Sequence, residues 1–397
     1  MSQDSLKNKL QYAGNPKGTI RVQIIQPLIP EYRVSLFRRL AAHDDLDVTV
    51  SASMRVPGID NLVSVDRGEE YADLDHPCKG FWGNSILWQR GLRLDPMMRH
   101  GDVLVVNVDF HYLSTLPLVL RAKKRGIGIV WWGHGFSTHR NRFKDFILRM
   151  IVYLNDVRLL YTDDEINEYL RLGCSAKKLF ATNNALDLEP IEEAKKLWPA
   201  ERLREFQKKE DIEHKHLLLF CGRRIENISF GTAFAALAQL KRVCHRYLFV
   251  IIGPDESRGE LGKVAKELGV NDCLRWLGPI YDQSELAPWF LSARCFVFPG
   301  SIGLSLTHAF AYGLPVIVPD CEHYPEIAAL SNGENGLFYR NGDKKDLAEK
   351  IAYIVENKPY QQDLSVNALE TIRRDYNMDN MVRRFIAAIK AASARSL

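Results

Sequence analysis

Short, wholly apolar runs alternate with longer amphipathic stretches along most of the chain. The apolar runs are RVQIIQP, LDVTVSAS, DVLVVNV, GIGIVWWG, VRLLYT and KLFATN in the first half, and HLLLFCG, YLFVIIG, LRWLG, CFVFPG and PVIVPD in the second. A strand that is apolar along its full length is covered on both faces, which is typical of a parallel sheet between layers of helices. The alternation therefore predicts βαβ units and doubly wound sheets.

The length and one charged segment predict how these units are divided. A chain of 397 residues is too long for one ordinary core, and a charge-dense segment from about Leu186 to His216 separates the two series of strands. We expect two Rossmann-like doubly wound α/β domains facing a cleft, because open α/β sheets bind ligands at the carboxyl ends of their strands. The predicted segments are a flexible tail at 1–18, an N-terminal domain at 19–185, a C-terminal domain at 186–377, and a helix at 378–397 that is free to pack back across the domains.

Composition narrows the class of protein. The formal net charge of +4 is too small for a dedicated nucleic-acid binder. Seven scattered cysteines include several inside apolar runs, so we expect reduced thiols in a cytoplasmic protein. The polar start of the chain lacks the apolar segment of a secretory signal, and no apolar run approaches the ~18 residues that cross a bilayer. These features predict a protein that is soluble or peripheral to a membrane.

The stretch FPGSIGLSLTHAFAYGLPVIVPD, from Phe298 to Asp320, predicts a buried strand, a glycine-rich turn, a helix and a second buried strand. Gly300 and Gly303 let the backbone approach a ligand, and the first amides of the helix point at that ligand with the positive end of the helix dipole. The junction therefore suits an anion, and a simple tight turn is the alternative interpretation. The candidate contact residues are Gly300, Ser301, Gly303, Leu304 and Ser305.

A second glycine turn carries two arginines. In LLLFCGRRIEN, Gly222, Arg223 and Arg224 follow a buried strand. Guanidinium groups match the geometry of phosphate oxygens and keep their charge, so this turn suits a diphosphate. A solvated basic turn is the alternative.

Several segments, taken in their order along the chain, resemble those of family 4 glycosyltransferases. This family is a retaining, metal-independent group with the two-domain GT-B fold. The donor-segment matches are Gly303-Leu304, Ala309, Ala311, Gly313, Pro315-Val316-Ile317 and the run from Pro325 to Tyr339. Further matches are WWGHGF, NNALDL at Asn183–Leu188, FCGRR, and LRWLGPIYDQSELAPWFLSA. The resemblance covers most of the chain from about residue 20 and implies that the C-terminal domain holds a nucleotide sugar.

The chain departs from the family at two glutamates and one lysine. The two glutamates, which have seven residues between them in the family, fall on Gly300 and His308. The resemblance implies a donor-sugar contact at the first position and a ribose contact at the second, where a histidine can still bond a hydroxyl through a ring nitrogen. The lysine falls on Ile228, or on Asn227 if the alignment slips by one residue, and Arg224 is the candidate to replace its charge.

The resemblance assigns further contacts in the C-terminal domain. The nucleotide base is expected around Gly278 and Tyr281. Glu326 follows the last strand of the series, and we hypothesise that it supplies a carboxylate near the donor. A surface or helix-capping glutamate is the alternative.

In the N-terminal domain, His134 of WWGHGF matches the family histidine at the reacting centre, although a lone histidine is more often structural. Tyr32 and Arg33 lie on the first loop after a strand, where such enzymes take part of the acceptor or a donor phosphate. Asp109 and His111 follow a third strand and are candidates to orient an acceptor hydroxyl. For Asp109, capping of the following helix is an equal alternative.

The implied activity is transfer of a hexosyl or deoxyhexosyl group, with retention, from a nucleotide diphosphate sugar to a glycan or lipid-linked acceptor. The catalytic residues would be His134, Arg223 and Glu326, and the reaction would need no metal and no cofactor besides the donor substrate. Surface polysaccharide or lipopolysaccharide synthesis is the implied setting. A sugar-nucleotide epimerase or hydrolase, and a catalytically silent nucleotide-sugar-binding partner, are the alternatives. A dinucleotide-dependent oxidoreductase is disfavoured because no G-x-G-x-x-G follows the first strand.

One basic stretch bears on localisation. HRNRFKDFILRMIVYLND, at residues 139–156, combines cationic side chains with an apolar stripe. Such a helix either rests on anionic lipid at the inner face of the cytoplasmic membrane or packs its apolar face on the sheet.

Overall fold

The structure, a computed structural model, describes residues 18–59, 63–65, 68–107, 109, 111–133, 156–171, 173–222, 228–254 and 258–396. Three predicted site residues, His134, Arg223 and Arg224, lie outside these ranges, as does nearly all of the basic stretch 139–156. The chain divides into two compact units. The first consists of Met1–Thr182 and Val382–Leu397, and the second is Asn183–Met381.

The described residues of the first unit form a parallel sheet with an attached hairpin. Its strands are β1 (Ile20–Ile25), β2 (Leu46–Ser51), β3 (Ala72–Asp73), β4 (Cys78–Phe81), β5 (Ile86–Gln89), β6 (Val103–Asn107), β7 (Gly128–Trp132), β8 (Val157–Leu160) and β9 (Leu179–Ala181). The sheet has the order β3-β2-β1-β6-β7-β8-β9, and β4 and β5 form the antiparallel hairpin. The helices are α1 (Glu31–Ala41), α2 (Thr115–Lys124) and α3 (Asp163–Arg171), with a 3₁₀ turn at Ala176–Lys178.

The second unit repeats the same plan. Its strands are β10 (His216–Cys221), β11 (Tyr247–Ile252), β12 (Leu274–Leu277), β13 (Cys295–Val297), β14 (Val316–Asp320) and β15 (Gly336–Arg340). Its helices are α4 (Glu189–Lys196), α5 (Ala200–Lys209), α6 (Phe230–Val243), α7 (Arg258–Glu267), α8 (Gln283–Ser292), α9 (Leu304–Ala311), α10 (Lys344–Glu356) and α11 (Lys358–Arg374). Two 3₁₀ turns cover Asn271–Cys273 and Pro325–Ala329. The parallel sheet has the order β12-β11-β10-β13-β14-β15, which is the 3-2-1-4-5-6 order of a Rossmann domain.

Burial explains why these runs form parallel strands. Every residue of β7 and of β11 is buried, as expected for strands covered by helices on both faces. In α6, Phe230, Phe234 and Leu237 recur at helical spacing and are buried against this core. The predicted fold class, two Rossmann-like doubly wound domains, is confirmed.

The last helix, α12 (Met378–Ser396), begins in the second unit and packs on the first. Phe385 is fully buried, and its ring meets the edge of Trp132 at 4.9 Å between centroids. Lys390 Nζ lies 2.6 Å from Asp45 Oδ2, and Ser393 Oγ donates to the carbonyl of Gly101. No helix in the described part of the chain is long and apolar enough to cross a bilayer.

Candidate functional site

The site lies where the strand order of the second sheet reverses. β10 is the first strand of that sheet in the chain, and its neighbours on either side are β11 and β13. Leu218 pairs with Cys295 and Leu219 with Phe296, so the loops after β10 and β13 leave the same edge of the sheet side by side. Connections that leave in opposite directions open a crevice at this point, and open α/β sheets bind their ligands there. Gly222 and the turn that begins at Phe298 border this crevice.

The turn after β13 is held by backbone hydrogen bonds. The amide of Gly300 donates to the carbonyl of Phe298 (2.9 Å), and the amide of Ser229 donates to the carbonyl of Pro299 (2.7 Å). Ile228 forms an isolated β-bridge with Gly300. The glycine-rich turn is thus fixed to the segment that leads into α6.

Ile302, in the middle of the turn, is held through both of its backbone groups. Its amide donates to His323 Nδ1 (3.1 Å), and its carbonyl accepts from the amide of Tyr324 (3.1 Å). His323 Nε2 in turn donates to the carbonyl of Pro319 (2.8 Å), which fixes the ring as the Nε2–H tautomer. Burial lowers the pKa of His323 below its usual value, so the neutral ring that this geometry requires is favoured.

The start of α9 presents backbone donors at the crevice. Leu306 donates to the carbonyl of Gly303, but within the described residues the amides of Ser301, Gly303, Leu304 and Ser305 have no acceptor. These four residues are partly exposed, and the first turn of α9 contains no acidic side chain. Open amides and a helix dipole of this kind can hold an anion.

Two glycines keep this crevice narrow. A Cβ on Gly253, which has φ of +150°, would lie 2.2 Å from the carbonyl oxygen of Gly222. A Cβ on Gly222 would lie 3.2 Å from Ser305 Oγ and 3.3 Å from a ring carbon of Phe298. The end of β10 therefore approaches the start of α9 closely because Gly222 lacks a side chain, and it approaches the end of β11 closely because Gly253 lacks one. Burial raises the pKa of the neighbouring Cys221 thiol to about 12, which leaves it protonated and unreactive.

His308 lies one turn into α9. Its Nε2 is 3.1 Å from Gln283 Oε1, which also accepts from the hydroxyl of Tyr312 at 3.1 Å. The ring packs on Phe290 with 4.6 Å between centroids, and burial lowers its pKa to about 4. A neutral ring that donates through Nε2 keeps Nδ1 as an acceptor, and Nδ1 has no partner in the described parts of the chain. His308 can therefore accept a hydrogen bond from a hydroxyl.

Glu326 is buried in the first turn of the 3₁₀ segment after β14. Its Oε1 accepts from Asn184 Nδ2 at 2.6 Å, while Asn184 Oδ1 is buried without a partner among the described groups. Asn184 belongs to the segment NNALDL, and the preceding Asn183 has φ of +49°. The surface interpretation of Glu326 was wrong, because the carboxylate is buried and held by an amide.

The predicted base-binding residues lie in the loop after β12. A side chain at Gly278 would meet nothing within 4 Å, and Tyr281 is 86% exposed. An exposed ring can stack on a planar base, so this contact stays a prediction.

In the first unit, Arg33 is buried on α1 and lies over the ring of Trp132 at 3.9 Å. Its Nη2 donates to the hydroxyl of Tyr161, whereas Nη1 finds no partner within the described residues. Tyr32 is partly exposed beside it, with its ring centroid 5.6 Å from the guanidinium carbon. Tyr32 and Arg33 therefore lie in the first turn of α1, and their predicted place on the loop after β1 was wrong because the helix already begins at Glu31.

Asp109 and His111 bond each other after β6. Asp109 Oδ1 accepts from the amide of His111 (3.0 Å) and lies 2.7 Å from His111 Nδ1. The residue at the cap position of α2 is Ser114, so the capping interpretation of Asp109 was wrong. Both side chains are exposed, as an acceptor-binding role requires.

The family model described as glycosyl transferases group 1 matches residues 201–371, which lie within the second unit. Over these residues the second unit is similar to the group 1 glycosyl transferases. The lipopolysaccharide core biosynthesis glycosyltransferase LpsE of Rhizobium meliloti is 28% identical over 173 residues, which cover 43% of this chain and 48% of that relative. The chain therefore spans about half the length of this relative. An N,N'-diacetylbacillosaminyl-diphospho-undecaprenol alpha-1,3-N-acetylgalactosaminyltransferase of Campylobacter jejuni is 23% identical over 270 residues, with 66% and 67% covered.

Solved structures bear on the fold. The crystal structure of Anabaena Alr3699/HepE in complex with UDP aligns with a TM-score of 0.65 at 12% sequence identity, covering 93% of this chain and 98% of that one. This similarity confirms the GT-B prediction of two Rossmann-like domains.

In the second unit, the structure explains why a residue other than lysine stands at one of the family's predicted positions. Ile228, at the predicted lysine position, is buried in the core and bridges to Gly300. A lysine there would place an unpaired charge in an apolar site, which is costly. Ile228 therefore supplies no positive charge at this turn.

Three residues that support the candidate site were not predicted from the sequence: His323, Gln283 and Asn184. His323 stands in the short loop DCEHYPE directly after β14, at the same sheet edge as the glycine-rich turn. The sequence signal for His323 was its place directly after a buried strand, at the sheet edge where ligands bind. The hydrogen-bond partner of each residue was not readable from spacing.

Proposed function

We propose that this chain is a glycosyltransferase that moves a sugar from a nucleoside diphosphate sugar to a hydroxyl of a glycan or lipid-linked acceptor, with retention of configuration. One observation supports this proposal above others. Four open amides, of Ser301, Gly303, Leu304 and Ser305, meet at the switch point of a group 1 glycosyl transferase unit, on a turn held from both sides.

The open amides would act on the negative charge of the leaving diphosphate. When the bond between sugar and diphosphate breaks, negative charge accumulates on the leaving phosphate oxygens. Amides that already point at those oxygens stabilise that charge without reorganising. Arg223 and Arg224, predicted for the same diphosphate, would add full positive charges, so we propose a metal-independent reaction.

The remaining predicted contacts divide the donor between them. We assign the ribose to His308, whose Nδ1 can accept from a hydroxyl, and the base to Tyr281. We assign the donor sugar to Glu326, which Asn184 holds in one orientation.

The setting that we propose is surface polysaccharide or lipopolysaccharide synthesis at the inner face of the cytoplasmic membrane. It is supported by the Rhizobium relative, named for lipopolysaccharide core synthesis, and by the Campylobacter relative, named for an undecaprenol-linked substrate. Retention rests on the family resemblance.

The amide assignment is tested by removing one amide. In Leu304→Pro the first helical residue loses its N–H while proline remains compatible with that position, and Leu304→Ala is the matched control that keeps the N–H. We expect about tenfold weaker UDP binding by calorimetry in Leu304→Pro, because a hydrogen bond to a charged group is lost, and little change in Leu304→Ala. Equal affinities in the two variants would refute the assignment. UDP is the first ligand to test, since the Anabaena structure of similar fold holds UDP.

The reaction type is tested by product release. Acceptor-dependent release of nucleoside diphosphate is the expected result. Turnover without an acceptor would indicate a hydrolase or epimerase, and binding without turnover would indicate a silent nucleotide-sugar-binding partner.

Glu326 is tested by Glu326→Gln, which keeps an oxygen for Asn184 Nδ2 and removes the charge. We expect kcat to fall by at least about a hundredfold while the Kd for UDP stays within about threefold, because the charge acts on the donor sugar in the transition state. An unchanged kcat would remove Glu326 from the catalytic residues.

A further inference from the structure

The β4–β5 hairpin of the first unit has one face that is anchored and one that is not. Cys78 pairs with Gln89, Lys79 with Trp88, Gly80 with Leu87, and Phe81 with Ile86. Because directly paired residues share a face, Leu87 and Gln89 lie on one side, and Lys79, Phe81, Ile86 and Trp88 lie on the other. Leu87 and Gln89 are buried, whereas Phe81 and Trp88 are 48% and 41% exposed.

The anchored face is held by hydrogen bonds. Leu87 donates its amide to the carbonyl of His111 (2.7 Å), and Gln89 Nε2 donates to the carbonyl of Gln26 (2.9 Å) and to Ser53 Oγ (3.0 Å). Gln26 directly follows β1, and Ser53 lies two residues beyond the end of β2. The hairpin is therefore fixed at the carboxyl edge of the first sheet, with its aromatic face turned away from it.

The tip of the hairpin presents a tryptophan to solvent. Trp82 is 80% exposed, and it has a left-handed backbone with φ of +47°. Gly83 and Asn84 also have positive φ, and a Cβ on Gly80 would collide with the Asn84 side chain, which packs back over the hairpin. A bulky residue pays a conformational cost in this region. Trp82 is thus held outward by the loop rather than by contacts of its own ring.

Within the hairpin segment itself, the charged side chains have one sign, although Asp75 and Asp95 stand at its two ends. From His76 to Leu94 the chain contains no acidic residue, and Lys79, Arg90 and Arg93 are exposed. The neighbouring α2 carries the exposed Leu116 and Leu120, and its last turn contains Arg121, Lys123 and Lys124, of which Lys123 pairs with Asp156 at 2.7 Å.

We infer that the outer face of the β4–β5 hairpin docks on the surface of an anionic phospholipid bilayer. Tryptophan and phenylalanine favour the boundary between headgroups and acyl chains, and lysine and arginine pair with lipid phosphates. A second copy of this chain is a poor occupant, because a self-complementary contact would bring faces of like positive charge together. The residues of this face are not those of the basic stretch 139–156, which lies almost wholly outside the described residues.

This inference rests on the proposed function and specifies the side from which a lipid-linked acceptor would reach the first unit. The hairpin bonds directly to His111, one of the two predicted acceptor-binding residues. A bilayer bound by Phe81, Trp82 and Trp88 would bring a lipid-linked acceptor to the rim formed by Asp109 and His111.

The test is flotation of the full chain with vesicles of phosphatidylglycerol and phosphatidylethanolamine, and with vesicles of phosphatidylcholine alone. We expect the wild type to float with the anionic vesicles, and Trp82→Ser to bind them about tenfold more weakly because a large apolar side chain is lost. Lys79→Glu keeps the aromatic residues and should weaken anionic binding by at least about fivefold. Val243→Ser, at an 83% exposed apolar residue of the second unit, is the matched control and should bind like the wild type.

Three results would overturn the inference: equal flotation of wild type and Trp82→Ser, no flotation of the wild type, or a loss of self-association in Trp82→Ser without any loss of vesicle binding. Trp82→Ser and Lys79→Glu should keep the wild-type thermal transition, which separates lost binding from lost folding. UDP affinity distinguishes the two hypotheses. If the wild type binds vesicles but no nucleoside diphosphate, the proposed function fails and the membrane surface stands. If it binds UDP and all variants float alike, the membrane surface fails and the function stands.

Discussion

His323 acts on the glycine-rich turn through both ring nitrogens. Nδ1 accepts from the amide of Ile302, and Nε2 donates to the carbonyl of Pro319, so the ring joins the end of β14 to the middle of the turn. Without an acceptor, the buried amide of Ile302 would be unsatisfied, at a cost of about 1–3 kcal/mol. The open amides at α9 therefore depend on His323 for their position.

Two substitutions of His323 separate its two hydrogen bonds. The side-chain oxygen of asparagine can take the place of Nδ1, whereas the longer glutamine side chain reaches toward the position of Nε2. We expect His323→Asn to keep UDP affinity within about threefold, and His323→Gln to lose about tenfold because the amide of Ile302 loses its acceptor. Isothermal calorimetry gives both affinities.

The ring itself provides a readout that does not depend on a ligand. The ¹⁵N chemical shifts of His323 should show the neutral Nε2–H tautomer at pH 7, and amide exchange of Ile302 should be faster in His323→Gln than in His323→Asn. A protonated ring at pH 7, or equal exchange in the two variants, would contradict the role.

His308 makes stability depend on pH. Its pKa is about 4 in the folded protein, against 6.5 for the exposed side chain, so between these values the unfolded chain binds a proton that the folded chain does not. The free energy of unfolding should therefore fall as the pH is lowered from 7 to 5, with about 2 kcal/mol of that fall due to His308. Urea unfolding of wild type and His308→Gln at both pH values measures this difference. An equally steep fall in His308→Gln would assign the effect to other groups, among them His323, whose pKa is also lowered.

For single residues, the sequence predicts which residue type occupies a position better than it predicts the hydrogen-bond partner of that residue. Residue type and spacing placed His308 on the helix and Gly300 in the turn. Spacing does not show that His308 donates to Gln283, or that His323 reaches Ile302, because each pair joins segments about 20 residues or more apart.

Among the secondary-structure elements, the contact between the ends of β10 and β11 fixes the position of Gly222, which borders the crevice. A methyl group at Gly253 would meet the carbonyl oxygen of Gly222 at 2.2 Å, and both are backbone positions that cannot rotate away.

Gly253→Ala should therefore destabilise the second unit by about 1–3 kcal/mol and weaken UDP binding, because Gly222 must shift. The matched control is Gly231→Ala, in the first turn of α6, where an added Cβ meets nothing within 4 Å. Gly231→Ala should be neutral or stabilising by up to about 1 kcal/mol. Chemical denaturation of the variants tests both expectations, and a wild-type stability for Gly253→Ala would show that the crevice tolerates the methyl group.

Buried strands were predicted more completely than exposed ones. Each apolar run in the two predicted series overlaps a parallel strand, because a strand covered on both faces must be apolar throughout. The hairpin strands β4 and β5 and the edge strand β15 were not predicted. Their sequences, CKGF, ILWQ and GLFYR, mix exposed and buried positions and are too short for a clear alternation.

At the scale of the whole molecule, the chain returns to its first unit after completing the second. Phe385 and Ile389 of α12 are fully buried in the first unit, and the carbonyl oxygen of Ala392 lies so close to Gly128 that a Cβ there would be 2.5 Å away. The last helix is thus part of the core over β7.

Phe385→Ala should destabilise the first unit by about 3–5 kcal/mol, because the cavity lies against Trp132 in a site closed on all sides. Amide exchange should become faster in β7 and stay unchanged in β11. Ala387→Ser, at an exposed position of the same helix, is the control and should change stability by less than about 0.5 kcal/mol. Faster exchange in both strands would show that the two units unfold together.

The contribution of α12 also sets an order of events during translation. Residues up to Thr182 are synthesised roughly 200 residues before Val382–Leu397, which at about 5–20 residues per second is a delay on the order of 10–40 s. During that delay the ribosome carries a nascent first sheet whose surface at Trp132 is still open to water and to other chains. The second unit is continuous in the chain and can finish first. A newly made first unit should therefore bind chaperones for longer than the second, although it is synthesised earlier.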